Sequence, residues 1–492
     1  MKHVIVIGAG IGGLSATLDL ASRGVRVTLL EQHGAPGGKM RQINVRGQFI
    51  DSGPTVFTMR WIFDDLFADA GLSLDEHLDL QAADLLARHG WSDRSRLDLF
   101  ADPHRSAEAI REFSDARDAE AYLDFAKASA AIFETLDLSF MRAPRPSQIE
   151  LAARVGLKGI PSLLATKPFI SLWNDLSKRF HDPRLVQMFS RYSTYCGSSP
   201  FRAPATLQLI AHAERAGVWY VKGGMQALAE TLADRAVDAG AEIQYGVNVK
   251  RLLTYDGQVT GVTLEDGESI MADAVVFGGD CAALAEGRLG DEFKTSIPKL
   301  PKDRRSLSAM TWSMVAEARG FPLAHHTVLF GDDYPAEFDA IFERQQITQS
   351  PTVYLCAQDR KDDTLPHDKQ SERLFVLINA PARALSDDEI ASAENAMLDI
   401  LARSGLTVEY APGDAVRTTP ADFAQQFPAT DGALYGRPTH GWSGSFSRPG
   451  SRSKQSGLYL AGGSVHPGAG VPMTAMSGRL AAACVRRDLN IG

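Results

Sequence analysis

Gly8-Ala9-Gly10-Ile11-Gly12-Gly13 follows the apolar run Val4-Ile5-Val6-Ile7 directly, and its glycines are spaced GxGxxG. Gly8 permits a tight turn, Gly10 lets backbone approach a pyrophosphate, and Gly13 lets the next helix press onto the strand. Backbone N–H groups at the helix start, around Ile11 and Gly12, then meet the phosphate charge. Glu31 ends the second apolar run, Arg26-Val27-Thr28-Leu29-Leu30, where a carboxylate accepts hydrogen bonds from ribose hydroxyls. Those residues suit NAD or FAD alike. Beyond Glu31, however, Gly37, Gly38 and Lys39 bring a second glycine pair and a cation toward the same ligand, and Gly53, Pro54 and Thr55 follow. Such an extension is unnecessary for NAD and typical of sites that enclose FAD.

These residues need a strand buried on both faces, a helix running through Leu14 and Leu18 to Gly24, and a second strand ending at Glu31. The chain has the length for that and more: 492 residues hold two or three structural units. With 44% hydrophobic and 23% charged residues it is not disordered. Its net charge of −9, from 60 acidic and 51 basic residues, gives no reason to expect nucleic acid as a partner. Cys196, Cys281, Cys356 and Cys484 form no CxxC pair and read as reduced thiols, while His325-His326 has no neighbouring ligands in the sequence, so no metal site is expected. No basic leader with an apolar core precedes Val4, and Val4–Leu18 is too short and glycine-rich to span a bilayer, so a cytoplasmic location is expected.

A second glycine-rich motif lies far downstream. Leu458-Tyr459-Leu460 leads into Gly462-Gly463-Ser464-Val465-His466-Pro467-Gly468-Ala469-Gly470-Val471-Pro472-Met473. Taken with the N-terminal motif, it resembles the closing signature of the bacterial-type carotenoid (phytoene) desaturases, FAD-dependent oxidoreductases related to amine oxidases and protoporphyrinogen oxidase. The resemblance implies an α/β fold: a Rossmann-like FAD-binding domain of amine oxidase/phytoene desaturase type with an inserted α+β substrate domain. The FAD-binding domain would comprise 1–60, 218–294 and 445–492, and the substrate-binding and membrane-docking domain 61–217, mostly helical, and 295–444. In that family the backbone near Val249 borders the adenine, and Gly462, Gly463, Ser464, Gly470, Val471, Pro472 and Met473 hold the ribityl chain and flavin ring. Segments 50–61, 420–423 and 433–436 look most like the 1-hydroxycarotenoid 3,4-desaturases (methoxyneurosporene dehydrogenases). The chain departs from many related flavoproteins in having Gly463-Ser464 where an acidic residue binds ribitol.

The resemblance implies FAD-dependent desaturation of an acyclic carotenoid, a long polyene substrate, oxygen or a membrane quinone as electron acceptor, and peripheral contact with membrane lipid at the inner or photosynthetic membrane. His466 is the one candidate base, with hydrogen bonding inside its own turn as the alternative. Residues 151–180 are the candidate docking segment: Leu157, Ile160, Leu163, Leu164, Phe169, Ile170, Leu172 and Trp173 alternate with Arg154, Lys158, Lys167, Lys178 and Arg179. Two core helices are the alternative. Tyr192, Tyr195, Cys196, Gly197 and Phe201 fall along the family's polyene path, and Asp359-Arg360-Lys361-Asp362-Asp363 reads as a surface loop. Rival functions are a phytoene desaturase making several bonds, a flavin amine oxidase, and a non-catalytic prenyl- or lipid-binding protein of the same fold.

Overall fold

The computed structural model describes residues 1–298, 300–301, 304–366 and 370–491, apart from the side chain of Leu157, one of the expected docking residues. Val4, Ile5 and Val6 have no solvent exposure, because the strand His3–Ile7 lies at the centre of a five-stranded parallel sheet. The order is Glu242–Tyr245, Arg26–Glu31, His3–Ile7, Ala274–Phe277 and Leu458–Leu460. Alternate residues of the central strand serve different layers. Val4 and Val6 pack with Leu14, Leu18, Leu228, Leu232, Ala475 and Val485 of the helices Ile11–Ala21, Met225–Asp238 and Val471–Leu489. Ile5 packs on the other face with Leu252, Val262 and Leu264 from a three-stranded antiparallel sheet. A parallel sheet covered on both faces requires such unbroken apolar runs.

The first and last of those helices cross with almost no side chain between them. A Cβ on Gly478 would stand 2.1 Å from the Gly12 carbonyl oxygen, and one on Gly12 would stand 2.9 Å from the Gly462 nitrogen. Glycine at 12 and 478 thus sets the approach of the two glycine-rich motifs. The helix Met225–Asp238 is anchored by Asp51, a buried carboxylate that accepts from the Met225 N–H at 2.6 Å and the Gln226 N–H at 3.4 Å. A negative group there complements the helix N-terminus.

The remaining chain is organised by an eight-stranded sheet built on the long pairing of Ser308–Gly320 with Glu372–Ala380. Met310, Trp312, Met314, Leu374, Val376 and Ile378 face the helix Asp387–Arg403. Thr311, Ser313, Phe375, Leu377 and Asn379 therefore fall on the opposite face. The stretch 61–217 is mostly helical, as its sequence suggests, but it also contributes strands. Leu85–Gly90 and Arg96–Phe100 form a hairpin at the edge of the large sheet, with Leu85–Gly90 running parallel to His326–Leu329. Period-two alternation in Leu85, Ala87 and Leu97, Leu99 is short and easily read as helix. Five helices of this stretch begin at polar caps: Asp102, Asp115, Ser147, Ser171 and Asp182 each accept a backbone N–H of the first turn.

The run 359–363 is a loop with Lys361 and Asp363 exposed at the surface, but its charges are mostly paired. Arg360 makes a two-pronged pair with buried Glu372, Arg373 pairs with Asp359, Asp363 reaches Arg88, and Asp362 accepts from the Tyr220 hydroxyl. The partners lie on distant strands, which one-dimensional charge patterning does not display.

Candidate active site

A single cavity of about 920 Å³ runs from the parallel sheet to the large sheet. Every candidate coenzyme residue named above lines it except Gly13. Gly13 stands behind the wall, where a Cβ would meet the Gly8 carbonyl oxygen at 2.0 Å, so its part is to seat the helix on the strand. The cavity opens where the chain leaves His3–Ile7 between Arg26–Glu31 and Ala274–Phe277, the point at which strand order reverses.

The donors and spaces at this end fit an extended dinucleotide. Gly10 caps the helix Ile11–Ala21 with no side-chain cap, and no atom lies within 4 Å of where its Cβ would stand. Gly470, at φ +102°, plays the same part for the helix Val471–Leu489. Two helix N-termini, each without a capping side chain, thus face one cavity and offer N–H groups to anionic or carbonyl oxygens. Glu31, buried, accepts from the Ala9 N–H at 2.6 Å and the His33 N–H at 2.9 Å, which fixes its carboxylate while leaving lone pairs for ribose hydroxyls. Val249, with Val247, Asn248 and Leu289, forms a partly apolar recess suited to a flat base. Ser464 accepts from the Cys281 N–H at 3.0 Å, and Asp280 caps the short helix Cys281–Ala285 through the Ala282 N–H.

Two cations mark the other end of the coenzyme wall. Lys39 donates to the Leu434 carbonyl, and burial pulls its ammonium below the ordinary lysine range. Arg448, only 2% exposed, spreads its guanidinium over the carbonyls of Tyr435 at 2.9 Å, Gly463 at 2.8 Å and Arg437 at 2.7 Å. Burial pulls its guanidinium below the ordinary arginine range too, with Asp280 opposing that shift. Both side chains line the cavity, so its field there favours an electron-rich ring system. Arg448 was not foreseen: Ser447-Arg448-Pro449 carries no motif. Gly278-Gly279, which also line the cavity directly after the strand Ala274–Phe277, did carry a signal, namely the same strand-then-glycine order as the N-terminal motif.

His466 lies outside this wall. Its Nε2 faces the carbonyls of Phe140 at 2.9 Å and Ala143 at 3.0 Å, and burial lowers its pKa to about 4. The ring is a neutral brace between the C-terminal motif and the helical region, not a hydrogen-bonding partner inside its own turn. The pair His325-His326 acquires a neighbour that the sequence hid: the donor atoms of His325, His326 and Cys356 all lie within 4.8 Å of one another, because His326 and Cys356 are cross-strand partners. Both Nδ1 atoms are engaged, His325 with the Arg360 carbonyl at 2.7 Å and His326 with the Tyr354 hydroxyl at 2.8 Å.

Away from the coenzyme wall the cavity is lined by Leu136, Phe140, Met141, Leu151, Leu163, Leu207, Leu209 and Ile210. Of the five expected tunnel residues, Tyr195 and Cys196 reach it, whereas Tyr192 and Phe201 pack into the aromatic core around Phe189 and Trp173. Gly197 turns the chain at φ +63°. The cavity continues to Leu164, Phe169 and Trp442, which are 59%, 70% and 47% exposed. The Phe169 and Trp442 rings meet at 5.7 Å, tilted by 45°, and Ile149, Ile160 and Ile170 are exposed as well. Leu172 and Trp173, by contrast, belong to the core, so the apolar surface stops near residue 170. Lys158 and Lys178 are exposed, Lys167 pairs with Asp175, and Arg154 holds the Ser139 and Pro144 carbonyls.

The chain is 48% identical to a hydroxyneurosporene desaturase of Rubrivivax gelatinosus, over 99% of this chain and 94% of that protein. It is 44% identical to a hydroxyneurosporene desaturase of Cereibacter sphaeroides, over 99% and 98%. Among solved structures, an oxidoreductase from Methanosarcina mazei superposes with a TM-score of 0.60 at 16% identity, covering 99% of this chain and 100% of that one, which shows a shared fold. The family described as flavin containing amine oxidoreductase matches residues 11–486. Glycine turns, ribose acceptor and C-terminal helix start, gathered from both ends of the sequence around one cavity, agree with that match: the chain belongs to the flavin-containing amine oxidoreductases.

Proposed function

We propose that this enzyme is an FAD-dependent carotenoid desaturase acting on an acyclic polyene, and that its reaction is the 3,4-desaturation of a 1-hydroxylated carotenoid. The observation that carries the reading is the union, in one cavity, of a dinucleotide cradle with an aliphatic passage that ends at exposed Phe169 and Trp442. The names of the two bacterial desaturases support the choice of substrate. Coenzyme residues would come from 1–60, 218–294 and 445–492, and substrate residues from 61–217 and 295–444.

Bound FAD supplies the hydride acceptor for the saturated carbon–carbon unit. The chain's own residues do the rest. Glu31, Gly10 and the uncapped helix starts hold the coenzyme; Lys39 and Arg448 keep positive potential beside its ring. Leu136, Phe140 and Met141 confine the polyene and exclude water, so the conjugated chain itself spreads the positive charge that develops as hydride leaves. A polyene leaves lipid without net gain unless its new surroundings are equally dry, at about 0.8 kcal/mol per CH₂. The exposed apolar group at 149–170, with Lys158 beside it, suits docking onto anionic lipid. No helix among the described residues is long and apolar enough to cross a membrane, in keeping with peripheral contact. Loss of a proton from the adjacent carbon completes the double bond, and oxygen or a membrane quinone would then take up the two electrons with two protons.

The test is anaerobic mixing of the flavin-loaded protein with phytoene, neurosporene or 1-hydroxyneurosporene in liposomes. Bleaching of flavin absorbance with a red-shifted polyene spectrum is expected for the hydroxylated compound. Equal rates on phytoene would overturn the substrate assignment, and bleaching by simple amines alone would return the protein to the amine oxidases.

A further inference from the structure

We infer that Thr311 and Asn379, on the cavity face of the large sheet, form the subsite that recognises the terminal hydroxyl of the polyene. This rests on the proposed function and deepens it. In a 1-hydroxylated chain the oxygen stands only about 4 Å from the 3,4 bond, given carbon–carbon single bonds of about 1.5 Å. Its partners therefore belong in the wall beside the coenzyme ring, not at the remote mouth of the passage.

The large sheet provides that wall. Its face is tied to the coenzyme-lining segment by the Ser313–Ser52 hydroxyl pair and by the Tyr354 hydroxyl, 2.6 Å from that of Thr55. On this face Thr311 is 2% exposed, lines the cavity, and its Oγ1 has no hydrogen-bond partner among the described residues. An unpaired buried hydroxyl costs free energy unless something in the cavity meets it.

Asn379 is its diagonal neighbour across the strand pair, since Thr311 is opposite Leu377 and Ala309 opposite Asn379. The Asn379 Nδ2 donates to Glu337 at 2.9 Å, which fixes the amide and leaves Oδ1 to accept. Thr352 Oγ1 donates to the other oxygen of the same buried carboxylate at 2.7 Å. The face thus offers one free hydroxyl and one oriented acceptor. An alcohol is both donor and acceptor and satisfies the two together: it donates to Asn379 Oδ1 and accepts from Thr311 Oγ1. A methoxyl keeps only the acceptor half, and a hydrocarbon terminus keeps neither. The order of preference is hydroxyl, then methoxyl, then hydrogen.

The experiment compares kcat/KM for 1-hydroxyneurosporene and neurosporene in liposomes, for the flavin-loaded wild type, Thr311→Val, Thr311→Ser and Asn379→Leu, with flavin content and Tm recorded for each. Thr311→Val, nearly isosteric, is expected to cut the hydroxyl preference about tenfold with flavin content unchanged, and Thr311→Ser to restore it. Asn379→Leu should cut it as far, provided its Tm shows a folded protein; Thr311→Val decides the matter otherwise. Wild type that prefers the hydroxylated polyene, with Thr311→Val preferring it equally, overturns the subsite alone. Wild type without that preference overturns both the subsite and the substrate assignment.

Discussion

Arg448 owes its importance to three carbonyls, not to a counter-ion. Removing its guanidinium in Arg448→Met leaves the Tyr435, Gly463 and Arg437 oxygens without that donor in a dry region. Each costs about 1–3 kcal/mol when left unmet. That variant should lose several degrees of Tm and most of its flavin, read by calorimetry and by absorbance after gel filtration. Arg448→Lys keeps the charge without the planar fork and should fall between. His466 yields a prediction of opposite kind. Its pKa, like that of His440, is lowered by burial to about 4, and that of His89 to about 3, from 6.5. Folding holds these rings neutral, so their contribution to stability is complete above pH 6.5. It is lost as pH falls from about 6.5 toward 4, and toward 3 for His89. Tm should fall through that window, and His466→Gln, whose amide can still donate to the Phe140 or Ala143 carbonyl, should flatten part of the slope.

Elements meet here through glycine. A methyl group at residue 478 would collide with the Gly12 carbonyl, so Gly478→Ala must push apart the helices Ile11–Ala21 and Val471–Leu489. Overpacking of this kind costs about 1–3 kcal/mol, and because both helix starts face the coenzyme, flavin affinity should fall with stability in titrations followed by fluorescence. At the mouth, Phe169→Asp combined with Leu164→Asp removes two exposed apolar groups and adds charge. It should weaken co-sedimentation with anionic liposomes at least tenfold while leaving flavin content alone, since neither residue lies on the coenzyme wall. Retained sedimentation would count against docking at 149–170.

Across the whole molecule, the coenzyme joins segments that are far apart in sequence, so its binding is coupled to global stability. Saturating FAD at a hundred times its Kd should raise unfolding free energy by about 2.7 kcal/mol, visible as a concentration-dependent Tm. Legibility in the sequence followed the same division between local and distant. Gly8, Gly10 and Glu31, and later Gly470, were readable because turns and helix starts impose their demands on consecutive residues. Arg448, the Cys356 neighbour of His325-His326, and the set Thr311, Thr352 and Asn379 were not, because strand pairing or long loops bring them together from separate parts of the chain. The hairpin Leu85–Gly90 with Arg96–Phe100 was hidden for a related cause: its partner strand, His326–Leu329, lies more than two hundred residues downstream.

The parallel sheet takes its fifth strand from Leu458–Leu460, and the second uncapped helix start is at Gly470. During synthesis, therefore, the chain must be made beyond Gly470 before the flavin has a complete cradle to lodge in. A cell making this enzyme faster than it makes riboflavin-derived coenzyme would accumulate a colourless form with its oily mouth already exposed, open to chaperones and proteases.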